Sequence, residues 1–532
     1  MKLAAVVTLS SILVASSAAA YTLQVYDVGG TYVRLHWPAG RLPLPMEINN
    51  QTGPNLPNVI AGSDPLAAVS RALSHWQGFS AFGFQQGSTS IASAGKDSHN
   101  VITFADTPEN RAAIEMSGQP LGLTLNYFVN GELTESDVIF NPTVVFSTAV
   151  NTDAELLERG LQDIETVATH ELGHVIGLHH TGVESATMWP LASLLGRTLD
   201  ADDRAGSRAL YPSGSPAGTI SGTVTVDGHP AVGAHVVTLG ASGAVVASAL
   251  TLPDGTYAVE GLPADTYRVY VEPLDGPHAA IPDADGCIRV GNLAGAGVYD
   301  DVELTTNFPT EFSGGNDAPT QYPLTSGSVV PVSFALSSGG SGVNPISIGP
   351  ATVTDTSISL EWYTTALSIH PGTEQWVTVA GPNLDRVAAT GIDFGDSSIA
   401  VDMTSLLQFQ GECGVPPAAI AFPSVAFRTT IAAGAAAGGR SLFFRVGSQL
   451  SALTGGVRVQ AASSSCGGDC NGDRTVTIDE ILRMVAIALG DITGAPCPAG
   501  DPGPDGRIGV DEILVAVRSA VNGCPSAGAH RQ

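Results

Sequence analysis

His170-Glu171-Leu172-Gly173-His174-Val175-Ile176-Gly177-Leu178-His179-His180, with Met188-Trp189-Pro190 beyond it, is the stretch on which the reading of this chain turns. Its spacing, H-E-x-x-H-x-x-G-x-x-H with a downstream methionine, sets three imidazoles and one carboxylate around a single metal ion. His170 and His174 stand four apart, so on an α-helix they share a face, about 6 Å apart along the axis, and both rings reach one ion. Ile164, Val167, Ala168, Leu172 and Val175 recur at helical spacing and give that helix a face to bury. Glu171, one residue past the first ligand, points toward the open coordination position, where a general base belongs. His180 joins the pair only if the helix breaks and the chain doubles back, and Gly177 supplies the positive φ of such a break. Three neutral histidines leave Zn²⁺ its full charge and one position for water, whose pKa falls toward about 7. The chemistry this implies is hydrolysis of a polypeptide amide bond, with Glu171 carrying the proton and no covalent acyl-enzyme. The rival reading is a catalytically inactive protein of the same fold that serves in adhesion or binding.

These residues resemble the metzincins and, within them, the matrixins. Astacins and serralysins usually carry a tyrosine two residues after the methionine, where this chain has Pro190; after the third histidine it has Thr181, nearest to the matrixin serine. Leu199-Asp200-Ala201-Asp202-Asp203-Arg204-Ala205-Gly206 resembles the matrixin C-terminal helix, which implies that Asp202 and Asp203 brace the turn around Met188 and the mature N-terminus. The likeness runs from about Tyr32 to Pro212. It implies an α/β catalytic domain with a mixed twisted sheet and an active-site helix. It also implies that the strand around Leu123 to Tyr127 pairs with an extended peptide and that Pro190-Leu191-Ala192 walls the pocket after the scissile bond. No cysteine precedes Cys287, so the cysteine-switch propeptide of many matrixins is missing. The His- and Asp-rich segment that builds their structural zinc and calcium site is also missing between Leu121 and Asn141.

Met1-Lys2, an apolar run through Val14 and Ala18-Ala19-Ala20 before Tyr21 read as a secretory signal peptide over residues 1–20, so an exported, extracellular product is expected. No later stretch is apolar enough for a membrane span. The 532 residues carry 50 Asp plus Glu against 22 Lys plus Arg, a net charge of −28, with Lys2 and Lys96 the only lysines. Such a chain repels polyphosphates, which argues against nucleic acid and favours divalent cations, calcium first. The 62 glycines and 34 prolines with 43% hydrophobic residues suggest β-rich domains with many turns. The chain reads as multidomain and as a monomer.

The catalytic domain is expected over 21–213. Tyr32 to Trp37, Met46 to Ile48, Val101 to Phe104, Leu121 to Val129 and Val138 to Phe140 read as strands, the last two bracketing an Asn130-Gly131 turn. Ser63-Asp64-Pro65 caps a helix with Leu66, Val69, Leu73 and Trp76 on one face. His36, His75, His99 and His179 lack ligand spacing and read as surface or packed residues. After the small-residue linker Ser213 to Ala217, five alternating stretches between Thr219 and Val271 and a closing one at Val329 to Leu336 form a first β-sandwich, 214–338. Pro253-Asp254-Gly255-Thr256-Tyr257 and Gly261-Leu262-Pro263-Ala264 resemble the transthyretin-like, carboxypeptidase-regulatory-like domains. A second, Ig-like sandwich is expected over 339–462, with Trp362 and Trp376 read as core.

Residues 463–532 change to helices and acidic loops. Asp469, Asn471, Asp473 and Glu480 stand at positions 1, 3, 5 and 12 of a calcium loop with the carbonyl of Thr475 at 7. Asp501, Asp505, Arg507 and Glu512 repeat positions 1, 5, 7 and 12. The pair resembles EF-hands of the dockerin type, which implies calcium and a cohesin-like or cell-surface partner. Cys466, Cys470, Cys497 and Cys524 fall in this small α module, and disulfides are expected in an exported chain; Cys287 and Cys413 either pair across domains or stay free. Spacing does not fix the connectivity.

Overall fold

The computed structural model describes residues 23–27, 31–53, 55–150, 153–214, 216–274, 297–299, 302–340, 342–354, 358–360, 365–413, 420–460, 467–470, 476–489, 497, 500 and 508–522. The chain is multidomain, mostly sheet with few helices, and each body is built around its own apolar core.

The first body opens with a ribbon of β1 (Val25–Asp27) and β2 (Tyr32–Arg34), followed by β3 (Leu44–Asn49), α1 (Pro65–His75), β4 (Phe84–Thr89), β5 (Val101–Thr103) and α2 (Pro108–Met116). Then come β6 (Gly122–Val129), β7 (Glu132–Phe140), the short parallel pair β8 (Phe146–Ser147) and β9 (Gln162–Asp163) flanking α3 (Asp153–Glu158), α4 (Ile164–Val175) and α5 (Ala201–Leu210). The main sheet runs β4-β3-β5-β7-β6, parallel except for β6, which pairs antiparallel with β7 and forms the edge. Asn130 (φ 54°) and Gly131 (φ 86°) both take the left-handed backbone that a tight hairpin turn requires. Asp64 caps α1 through the Ala67 amide with Pro65 in the first turn, as read from the sequence. Leu66, however, is 43% exposed; α1 turns Ala68, Val69, Ala72 and Leu73 inward, because the small alanines allow close approach to α4. The strand expected at Tyr32 to Trp37 ends at Arg34, since Leu35 and Trp37 leave the ribbon for the core and Trp37 Nε1 donates to the Val175 carbonyl at 2.7 Å.

The second body contains β10 (Gly218–Val226), β11 (His229–Pro230), β12 (His235–Leu239), β13 (Val245–Leu250), β14 (Thr256–Leu262), β15 (Asp265–Glu272), β16 (Glu311–Phe312), β17 (Tyr322–Leu324), β18 (Val329–Pro331) and β19 (Phe334–Leu336). One sheet is ordered β11-β10-β14, with β18 and β19 pairing parallel to β10; the other is ordered β13-β12-β15-β16, with β17 on β15. The closing stretch is therefore two short strands rather than one. Val332 between them is buried, and its carbonyl accepts the Tyr257 hydroxyl at 2.7 Å.

In the third body one sheet runs Ile358–Leu360, Ser347–Val353, Glu374–Ala380, Ile420–Ile431, Ile399–Val401, with Leu407–Cys413 also on Ile420–Ile431. The facing sheet runs Leu367–Ile369, Gln449–Val459, Gly438–Val446, Ile392–Asp393. Trp376 is only half-buried and lies outside the core, which Val377, Val379, Phe394, Phe427 and Phe444 fill; alternation along its strand puts Val377 and Val379 inward and Trp376 on the other face. Trp362 lies outside the described residues.

The bodies pack on one another. Glu260 pairs with Arg34, and Tyr270 of β15 reaches Ser441 (2.9 Å) and Thr454 (2.5 Å) of the third body. Gly261 (φ 70°) comes so close to α5 that an added Cβ would lie 2.0 Å from the Ala205 carbonyl oxygen. The small-residue linker thus joins bodies that dock on one another through these contacts.

At the C-terminal end, α6 (Ile478–Ala488) and α7 (Val510–Asn522) enclose Val476, Met484, Cys497, Ile508 and Ala516. Cys470 and Cys497 are joined, S–S 2.06 Å. No described helix is long and apolar enough to cross a membrane.

Candidate metal centre

The site is built by α4 and the loop that follows it. Asp163 caps α4 by accepting the amide and hydroxyl of Thr166, each at 2.9 Å, and Arg197 holds the same carboxylate through Nη2 at 2.6 Å. The predicted face is buried throughout: Ile164, Val167, Ala168, Leu172 and Val175 are all within 4% of complete burial. Trp76 Nε1 donates to the Thr169 carbonyl and Asn126 Nδ2 to the His174 carbonyl, both at 2.9 Å, so the helix is fixed from two sides.

The break after α4 occurs where glycine permits it. Gly177 has φ 99°, and a Cβ there would lie 2.5 Å from the Leu35 carbonyl oxygen, so both conformation and space exclude a side chain. The returning chain is sealed by strand-like contacts of the N-terminal segment: the Gln24 amide donates to the Gly177 carbonyl and its Nε2 to that of Leu178.

His170, His174 and His180 come together, the group among the described residues able to hold a metal ion. Nε2 of His180 lies 3.1 Å from that of His170 and 3.2 Å from that of His174. Nδ1 of His170 is 2.8 Å from the Thr187 carbonyl and that of His174 is 3.0 Å from the Leu178 carbonyl. A carbonyl can only accept, so both rings carry their proton on Nδ1 and turn the Nε2 lone pair toward the shared centre. Burial pushes His170 down to about 4 and holds His174 and His180 well below the ordinary imidazole range. Three neutral nitrogens converging on one point fit Zn²⁺.

Glu171 is buried, and burial raises its pKa to about 7 against a hydrogen bond from Thr124 Oγ1, 2.6 Å from Oε2. The floor beneath it is Gly122, where a Cβ would lie 2.7 Å from Glu171 Oε1 and 2.9 Å from Val167 Cγ1. Neither Gly122 nor Thr124 was singled out by motif spacing. The approach of β6 to α4 is a tertiary contact, and the sequence signal for it is a glycine at the start of a mainly apolar strand.

Met188 lies fully buried under the ligand pair. A Cβ on Gly173 would meet its Sδ at 2.1 Å and Trp76 Cζ2 at 3.0 Å. Gly173→Ala should therefore lower thermal stability by about 1–3 kcal/mol through overpacking, outweighing the gain of about 1 kcal/mol from better helix propensity. Calorimetry of the variant against the parent checks this; an unchanged or raised melting temperature would refute the contact. Asp203 accepts the amides of Thr187 (2.9 Å), Met188 (3.0 Å) and Asp200 (2.7 Å), bracing the turn at Met188. Asp202 accepts instead from Thr181 Oγ1 and from the amide and hydroxyl of Ser248 in β13. His179 packs against His174 and accepts the His180 amide on Nδ1.

The sequence of this body matches the Matrixin peptidase family model over residues 47–212. Residues 47–212 are thus similar to a matrixin domain. Residues 219–287 match the carboxypeptidase regulatory-like domain, which covers much of the second body. Metalloendoproteinase 1-MMP of Arabidopsis thaliana is 53% identical over 53 residues, 9% of this chain and 14% of that protein. The hatching enzyme of Paracentrotus lividus is 48% identical over 59 residues, 11% and 10% of the two chains. Stromelysin-3 of Mus musculus is 30% identical over 145 residues, 24% of this chain and 28% of the other. The chain thus spans less than a third of the length of each. The histidine triad lies within the residues that match the matrixin family, and the relatives named above are similar to part of this chain.

The calcium loops are only partly within view. Asn471, Asp473, Thr475, Asp501, Asp505 and Arg507 lie outside the described residues. Asp469 is buried, Glu480 Oε2 accepts the Thr477 amide at 2.8 Å, and Glu512 Oε2 accepts the Gly509 amide at 2.7 Å. The two helices therefore begin with the same carboxylate-to-amide cap in equivalent places.

Proposed function

We propose that this protein is a secreted zinc endopeptidase whose later domains, divided as read from the sequence, serve for attachment and calcium binding. The observation that carries the peptidase reading is the convergence of His170, His174 and His180 beside a buried Glu171. Those three rings would hold zinc, which would supply Lewis acidity toward water and a peptide carbonyl. Glu171, poised near neutrality by burial, accepts the proton from the attacking water on its carboxylate and returns it to the leaving amine. Thr124 fixes that carboxylate, and the Thr187 and Leu178 carbonyls keep the His170 and His174 rings turned inward. The edge strand β6 has one flank open to an extended polypeptide substrate, and Pro190-Leu191-Ala192 borders the primed side. Chelation with a zinc-selective agent should abolish cleavage of an unstructured protein, and stoichiometric zinc should restore it; cleavage that survives chelation would end this reading.

The duplicated acidic loops and their matching Glu480 and Glu512 caps support calcium sites that order the terminal helices. Ile478, Leu482 and Leu489 of the α6 segment and Leu514, Val517 and Val521 of α7 are exposed, which supports docking to a cohesin-like or surface partner. Titration of the full chain with calcium to millimolar levels should raise the melting temperature of this module. A calcium-independent unfolding profile would remove both statements.

A further inference from the structure

The stretch Thr181–Leu199 leaves the third ligand, passes through Met188 and returns to α5, and it is held from outside the matrixin domain. From the second body, the Ser248 amide (2.7 Å) and hydroxyl (3.1 Å) donate to Asp202 Oδ1, while Thr181 Oγ1 donates to Oδ2 at 2.7 Å. Thr181 is in turn tied to the methionine turn through its amide, 3.0 Å from the Met188 carbonyl. Gly182 has no room for a side chain, since a Cβ would lie 2.6 Å from the His235 ring of β12. From the third body, the Thr454 carbonyl accepts the Glu184 amide at 3.0 Å. Arg458 donates to the carbonyls of Leu195 (2.9 Å), Thr198 (3.1 Å) and Leu199 (3.2 Å). All three links of the Ser248–Asp202–Thr181 relay are within 1% of complete burial.

His180 is the ligand that needs this support. His170 and His174 have their Nδ1 atoms fixed by carbonyls, whereas Nδ1 of His180 is buried with no hydrogen-bond partner among the described residues. Its ring packs against those of His170, His174 and His179, and its backbone is held by the hydrogen bond of its amide to His179 Nδ1 on one side and by Thr181, the next residue, on the other. A ligand on a loop is only as rigid as the groups that hold the loop.

We propose that Ser248 is a positioning residue for the metal centre, acting through Asp202 and Thr181 on His180, so that the second body is a working part of the peptidase. The inference rests on the zinc reading above. Three full-length variants test it: Ser248→Ala removes the hydroxyl without adding bulk, and Ser248→Val and Ser248→Thr add the same methyl but differ in whether the hydroxyl remains. Zinc-loaded protein is mixed with a chromogenic chelator, and the visible spectrum of the cobalt-substituted form reports ligand geometry. S248A and S248V should release zinc ~10-fold faster than the parent, the size expected for one lost hydrogen bond to a buried carboxylate. Their kcat should fall by a similar factor with KM held, and the cobalt bands should shift; S248T should restore slow release. Equal release rates and spectra in S248A, S248V and S248T, with only the melting temperature lowered, would overturn the proposal. S248A adds no volume and decides the matter if S248V does not fold. Failure of the parent chain itself to take up zinc would instead overturn the peptidase reading.

Discussion

Glu171→Ala is expected to retain zinc and the fold while losing proteolysis by a factor of about 10²–10⁴ in kcat, the range a positioned general acid–base commonly contributes. Zinc retention is expected because the three imidazoles, not this carboxylate, converge on the metal position, and their Nδ1 protons on His170 and His174 are held by main-chain carbonyls that the substitution leaves untouched. Folding is expected because the residue contributes a buried, desolvated acid whose side chain is hydrogen-bonded by Thr124; removing it frees one hydroxyl that still lies 3.0 Å from the main-chain carbonyl of residue 171. Metal content by elemental analysis and single-turnover cleavage of a fluorogenic peptide measure the two quantities separately. Activity within tenfold of the parent, at full zinc occupancy, would show that proton transfer is carried by another group. Loss of zinc in the variant would show that the carboxylate supports the metal rather than the proton.

Asp203→Ala should be the most damaging single change to the scaffold. The carboxylate is fully buried, and burial raises its pKa to about 6, so at neutral pH it is ionised while accepting three main-chain amides. Alanine leaves all three donors without an acceptor in a dry site, at about 1–3 kcal/mol each with partial relief by relaxation, so a loss of ~4 kcal/mol is expected. In a body of this size that lowers the melting temperature by about 10 °C. Two of the amides belong to Thr187 and Met188, and the Thr187 carbonyl orients His170, so zinc affinity should fall with stability. Asp203→Asn keeps a carbonyl oxygen and should lie between parent and alanine. A variant that melts within 2–3 °C of the parent, about 1 kcal/mol, would mean that the turn at Met188 is held by its neighbours alone.

What could be read from the linear order was whatever local spacing fixes. The triad and the glycine break at Gly177 follow from helix period and a short loop, and the structure brings the three histidines together across that break; the paired aspartates were legible only through the resemblance. Strands of the second body were legible because alternation and Gly or Asp turns mark both ends, as at β13, Val245–Leu250. Gly122, Thr124 and Gly173 were not, since each matters only through a neighbour distant in sequence. The resemblance implied that Asp202 and Asp203 together brace the turn around Met188 and the mature N-terminus; in the fold Asp202 Oδ1 accepts from Ser248, a partner no spacing rule could supply across 46 residues. Leu66 and Trp376 misled for a related reason: an apolar residue at the right period is buried only if something arrives to cover it.

Arg458 sits near the end of the third body yet spans the carbonyls of the loop that closes the catalytic unit. A laboratory swap of that final sandwich for one lacking a guanidinium at this place would therefore leave the carbonyls of Leu195, Thr198 and Leu199 without this donor, so the third body is not an independent cassette.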